Sequence, residues 1–119
     1  MKLFTKHIHE KLLKNGRIHA QFIQSGEAEI AFLPVVKLFT PDGACTWLLT
    51  ELDPEEPDIA FGLCDLGMGC PELGTVRISE LQSVRGALGL PVERDRYFTA
   101  TKTISAYADE AWQSGRIKA

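Results

Sequence analysis

The run Val92-Glu93-Arg94-Asp95-Arg96-Tyr97-Phe98 packs two acids, two guanidinium groups and two aromatic rings into seven residues. If it is extended, alternation puts Glu93, Asp95 and Tyr97 on one face and Arg94, Arg96 and Phe98 on the other. Two carboxylates beside a guanidinium can do acid/base work around an anion. The same groups can instead close on one another as an Arg–carboxylate clasp that pins a loop to a sheet. Arg85, just upstream, belongs to either arrangement. A second group lies earlier in the chain, where alternation along one strand places Trp47, Leu49, Glu51 and Asp53 on a common face that could line a pocket. The candidate binding residues are therefore Trp47, Glu51, Arg85, Glu93, Arg94, Asp95 and Tyr97. None is assigned a catalytic role.

Other chemistries find little to work with. His7 and His9 are two apart in a predicted helix, where they point away from each other and cannot easily share a metal. Cys64 and Cys70 lack a second pair at zinc-site spacing, so no metal and no cofactor is expected. Cys45 and Cys64 have no basic neighbour in sequence to lower a thiol pKa. Gly67-Met68-Gly69 leads into another strand, so no helix N-terminus follows to meet a phosphate. The Glu51–Asp58 stretch has too many prolines and the wrong spacing for a calcium loop.

These residues need a scaffold, and 119 residues suit one compact domain, residues 1–119. Three cysteines and no apolar leader point to reduced thiols in a cytoplasm. The net charge is only −3, but its layout is uneven. From Leu38 to Val76 there is no Lys or Arg, against eight acids including Glu51, Asp53, Glu55, Glu56 and Asp58. Such a stretch could face a basic protein partner. A sequence pI near 5.6 argues against a large phosphate footprint, so nucleic acid is not expected as a direct ligand.

The pattern begins with a helix capped by Thr5, with Phe4, Ile8, Leu12 and Leu13 on one face and a stop at Asn15-Gly16. A second short helix through Ile18, Phe22 and Ile23 would end at Ser25-Gly26. Strands follow at 35–40, 45–52, 59–66 and 74–78, joined by turn chemistry such as Pro41-Asp42-Gly43. Ser79 to Gln82 matches a capping box opening a helix over 80–85, with Arg85 at its end and a left-handed Gly86 after it. Leu88 and Leu90 are expected to plug the core. A last helix, Ile104–Ser114, is capped by Thr103 and stopped by Gly115. The fold class is α+β, an antiparallel sheet of four to five strands with N-terminal, short central and C-terminal helices packed on one face.

Several of these segments together resemble a bacterial family catalogued as domain of unknown function 2958. The resemblance runs from Val35 to Phe98 through Phe39-Thr40-Pro41, Trp47, Thr50-Glu51, Phe61-Gly62, Glu72-Leu73-Gly74, Ser79-Glu80-Leu81, Ser83-Val84-Arg85-Gly86, Gly89-Leu90-Pro91, Glu93-Arg94-Asp95 and Tyr97-Phe98. The chain departs from the pattern in His19–Leu33, at Leu48, and at Val76 and Arg77. Members of the family look like cargo of plasmids, phages and integrative elements, and the resemblance implies no chemistry. The function expected is a non-enzymatic accessory protein of a mobile genetic element, acting through protein contacts. The alternatives are a small hydrolase or nuclease-like enzyme using Glu51, Glu93 and Asp95 with Arg85 or Arg94, and a nucleic-acid-binding accessory protein.

Overall fold

A computed structural model describes residues 3–26 and 31–119. Residues 27–30 of the divergent His19–Leu33 segment lie outside it. Helix α1 spans Lys6–Gln24, and the Thr5 hydroxyl accepts from the Ile8 amide at 3.2 Å as its cap. It is one helix, where the sequence suggests two. The Asn15-Gly16 pair is a contact rather than a stop. Asn15 Nδ2 donates to the Thr50 carbonyl at 2.9 Å, and Gly16 lets the helix lie against the backbone of Leu52. The helix ends where the second short one was expected to, at Ser25 and a left-handed Gly26.

Four strands follow as a meander: β1 Val36–Phe39, β2 Thr46–Leu52, β3 Ile59–Asp65 and β4 Glu72–Arg77. A fifth, β5 Glu93–Arg94, returns to the opposite edge and pairs with β1, giving the order β4-β3-β2-β1-β5. Every pairing is antiparallel. The β2–β3 register slips between Leu49 and Glu51, leaving Thr50 as an extra residue. That slip carries Leu52, rather than Glu51, into the same core layer as Leu49. The sequence-based grouping of Trp47 with Glu51 fails at this bulge.

The remaining helices are α2, Ile78–Ser83, and α3, Ile104–Ser114. The α3 ends form as expected, with Thr103 accepting from the Ala106 amide and a left-handed Gly115 closing the helix. The capping box at Ser79 does not form, since Arg77 precedes α2 without a side-chain cap. Asp58 takes that place from a distant loop, accepting from the Ser79 amide at 2.9 Å and from its hydroxyl at 2.7 Å.

Helices cover both faces of the sheet, not one. Leu12 of α1 packs with Leu38, Trp47, Leu49 and Leu52, and Leu81 of α2 joins them. Ile104, Tyr107, Ala108 and Ala111 of α3 pack instead with Leu48 and Leu63. Successive apolar residues Trp47-Leu48-Leu49 are what a strand buried on both sides requires. Each fully buried leucine in these layers contributes about 1.5–3 kcal/mol of transfer free energy.

Candidate functional site

The structure scatters the candidate residues of the sequence over several places. Trp47 is 3% exposed inside the core and lines no ligand platform. Glu51 meets a residue that sequence reasoning missed: its carboxylate receives His19 Nδ1 at 2.8 and 3.1 Å. The partners are 32 positions apart, and only the run of α1 past Gly16 brings them together. Facing a carboxylate, which can only accept, Nδ1 is the donor of this pair. Among the described residues Nε2 has no hydrogen-bond partner and is shut off from solvent, and the ring meets Phe32 edge-on. A carboxylate-oriented imidazole is the layout of a general base. Such a base must also present its free nitrogen to a substrate, and this one is covered. The pair works as a clamp between α1 and the bulge in β2.

Glu93, Arg94, Asp95 and Tyr97 do come together, around an open depression of about 400 Å³ that Phe39 and Arg96 complete. The expected Arg–carboxylate clasp is absent among the described residues. Arg94 donates to the Leu3 carbonyl at 2.7 Å, tying the N-terminal segment to the sheet. Asp95 pairs with Lys37 at 3.5 Å and accepts from the Tyr97 amide, which turns the chain and ends the extended alternation after Arg94. Tyr97 is 95% exposed. Arg85 closes the end of α2 by donating to the carbonyls of Gln82 and Val84. Glu51 lines a different cavity from Glu93, Arg94 and Asp95, so no shared acid/base centre forms from these groups.

The acidic loop is largely committed to its own neighbours. Asp53 accepts from the Glu55 and Glu56 amides. Glu56 pairs with Arg77 at 2.9 Å, and Asp58 lies 3.7 Å from the same guanidinium. Hydrogen bonds from Ser79, then the charge of Arg77, hold the Asp58 carboxyl below its ordinary value. Within the run Ser83–Phe98, Leu88 and Leu90 point to solvent rather than into the core. The reason is Asp42, whose Oδ2 accepts from the Leu88 amide at 2.6 Å and the Leu90 amide at 3.3 Å. Gly86 is needed because a Cβ there would sit 1.7 Å from Asp42 Oδ1, and the left-handed residue of this turn is Gly89.

One surface feature carries no sequence motif. The loop after β3 exposes Leu66 and Met68, and α3, which is bonded to the same loop, exposes Trp112 to 54%. Trp112 Nε1 donates to the Pro71 carbonyl at 2.6 Å, fixing the ring. Asp65 accepts from the amides of Gly67 and Ile117, tying both the loop and the chain after α3 to the sheet. Left-handed Gly67 and Gly69 shape the loop, and Gly69 backs onto Gly115. The result is a braced apolar platform. The only signal for it in sequence is that the apolar face of α3 continues to Trp112 beyond what the sheet can cover. The cysteines are free, and burial pushes the Cys64 thiol up to about 11.

These features define a small α+β protein with a meander sheet closed at one edge by a returning strand and covered by helices on both faces. Residues 3–118 match the family described as a protein of unknown function, DUF2958, and the chain belongs to that family. No curated protein and no solved structure matches it. Among the described residues no helix is long and apolar enough to cross a membrane, and no group of three or more His, Cys, Asp or Glu could hold a metal ion.

Proposed function

We propose that the chain is a non-enzymatic accessory protein that acts by binding another protein, in the cytoplasm of a bacterium and on behalf of a mobile genetic element. The mobile-element setting comes only from what the family resemblance implies. The binding reading rests on the Leu66–Met68–Trp112 platform. A tryptophan that is half exposed yet held by a hydrogen bond loses little freedom on docking, and tryptophan is the residue most often found at the energetic centre of interfaces. Methionine adds an adaptable apolar surface beside it.

The acidic stretch bears on the partner, with its weight moved. Much of the charge at residues 51–58 is neutralised internally, whereas Glu72 and Asp109 beside the platform are exposed and have no ion-pair partner among the described residues. Arg116 is the one cation in the adjoining segments 66–72 and 109–117. The partner surface that fits is an apolar stripe flanked by Lys or Arg.

An amphipathic Leu/Lys peptide serves as the probe. Its addition should shift Trp112 emission to the blue, and Trp112→Ala should weaken binding roughly thirtyfold, the counterpart of about 2 kcal/mol for a hot-spot residue. Equal binding of a Leu/Glu peptide, or an emission change that survives in Trp112→Phe and so comes from Trp47, would refute the reading.

A further inference from the structure

A concavity away from that platform lies between the start of α1 and the short helix α2. It holds about 630 Å³, within the range of pockets that take small molecules. Its apolar lining comes from Leu3, Phe4, Leu52, Pro57 and Ile78. Leu3 and Leu52 are 4% and 0% exposed and belong to the main core cluster, so an apolar group seated there would extend the core itself.

The polar rim is lopsided. On the α1 side stand Thr5, Lys6 and His9; on the other stand Asp58 and Gln82. Both oxygens of Asp58 are engaged by Ser79, and the Arg77 guanidinium is 3.7 Å from one of them. The Lys6 and His9 side chains have no ion-pair or hydrogen-bond partner among the described residues, and the first turn of α1 contains no acid. Among the lining residues the uncommitted charge at the mouth is therefore the Lys6 ammonium, with the His9 imidazole beside it as a hydrogen-bonding group. A ligand that complements both features has an apolar body and one anionic head.

We infer that this groove is a binding site for a small amphipathic carboxylate, its apolar part lying along Phe4, Leu52 and Ile78 and its carboxylate at Lys6 and His9. Burying the chain supplies the affinity, and the Lys6 ammonium with an N–H of the His9 imidazole selects the head group. The site is separate from the Trp112 platform and does not depend on it.

Octanoate is the probe, compared with octanol and octyltrimethylammonium below their aggregation thresholds, with amide chemical shifts as the readout. Octanoate should move the amides of Lys6, His9, Ile78 and Gln82 in a saturable way, and bind at least tenfold more tightly than either comparison compound. The double variant Lys6→Glu/His9→Glu should erase that preference. Its fold is expected to hold, because both side chains are exposed and acids suit the first turn of a helix. Equal affinity for the three compounds, shifts confined to the Leu66–Met68–Trp112 region, or no saturable shift at millimolar octanoate would each overturn the inference.

Discussion

Replacing Gly16 with alanine tests how α1 is seated. In an exposed helix interior this change would stabilise by about 1 kcal/mol, because alanine restricts the unfolded chain and glycine does not. Here the added Cβ would fall 1.8 Å from the Leu52 carbonyl oxygen, 3.0 Å from its carbon and 3.3 Å from Pro54 Cδ. The first two neighbours are backbone in the middle of the fold and cannot swing away. Ordinary contact begins near 3.4 Å, so α1 would have to lift by about 1.5 Å. A lift of that size breaks the Asn15–Thr50 hydrogen bond and stretches the His19–Glu51 pair beyond hydrogen-bonding distance. Losing the first costs about 1 kcal/mol and the second about 2, with overpacking strain adding 1 or more. Against the gain in helix propensity, Gly16→Ala should destabilise by about 3 kcal/mol. Urea unfolding followed by the fluorescence of buried Trp47 should show the midpoint falling by roughly 1.5 M with little change in slope. Asn15→Ala sets the scale, at about 1 kcal/mol for a single hydrogen bond. A Gly16→Ala midpoint equal to or above that of the parent would refute the close approach and the clamp built on it.

Asp42→Ala should remove the clasp on the 86–90 turn and cost about 2 kcal/mol, since hydrogen bonds to a charged acceptor are worth more than neutral ones. Hydrogen exchange should show the Leu88 and Leu90 amides losing protection ahead of the core strands, and unchanged protection would dismiss the clasp. The Cys64 thiol, raised from 9.0 to about 11 by burial, should react with an alkylating reagent at pH 8 at least tenfold more slowly than exposed Cys70. Because its folded pKa lies above the unfolded one, the stability tied to Cys64 is whole below pH 9 and is lost as pH rises from 9 to 11, on the order of 2 kcal/mol. Cys64→Ser should flatten that alkaline limb of the stability curve; a limb that stays would assign it to another group.

What was legible in the sequence was whatever local chemistry decides. Thr5, Thr103 and Gly115 mark their helix ends because capping is settled within four residues. The β1–β2 hairpin follows from Pro41-Asp42-Gly43 for the same reason. Reading failed where a distant group takes over a local signal. Asn15-Gly16 has the chemistry of a stop, but the bulge in β2 offers Asn15 a carbonyl and demands a residue without Cβ beside it. Ser79 has the chemistry of a cap, but Asp58 reaches it first, from 21 positions away. Alternation weighed strand by strand puts the helices on one face, whereas the unbroken apolar run in β2 calls for cover on both sides.

The same contest explains why the charged run Glu93–Arg96 misled about function. Alternating acids and bases invite pairing with one another, yet at the end of a two-residue edge strand the nearest unsatisfied groups are backbone carbonyls and a lysine on β1. Arg94 takes the Leu3 carbonyl and Asp95 takes Lys37 and the Tyr97 amide, so the central pair of the run is spent on other partners. Glu51 behaves alike, drawn from its predicted pocket to His19 by a one-residue slip in register. In a sheet this small, polar side chains near the core are recruited to hold helices and loops in place. Among the groups left free to meet something else are Trp112 and Met68, which the core does not cover, and Lys6 and His9 at the mouth of the groove between α1 and α2. Function in this fold is therefore sought at the residues the structure leaves unpaired, which a search for charged motifs passes over.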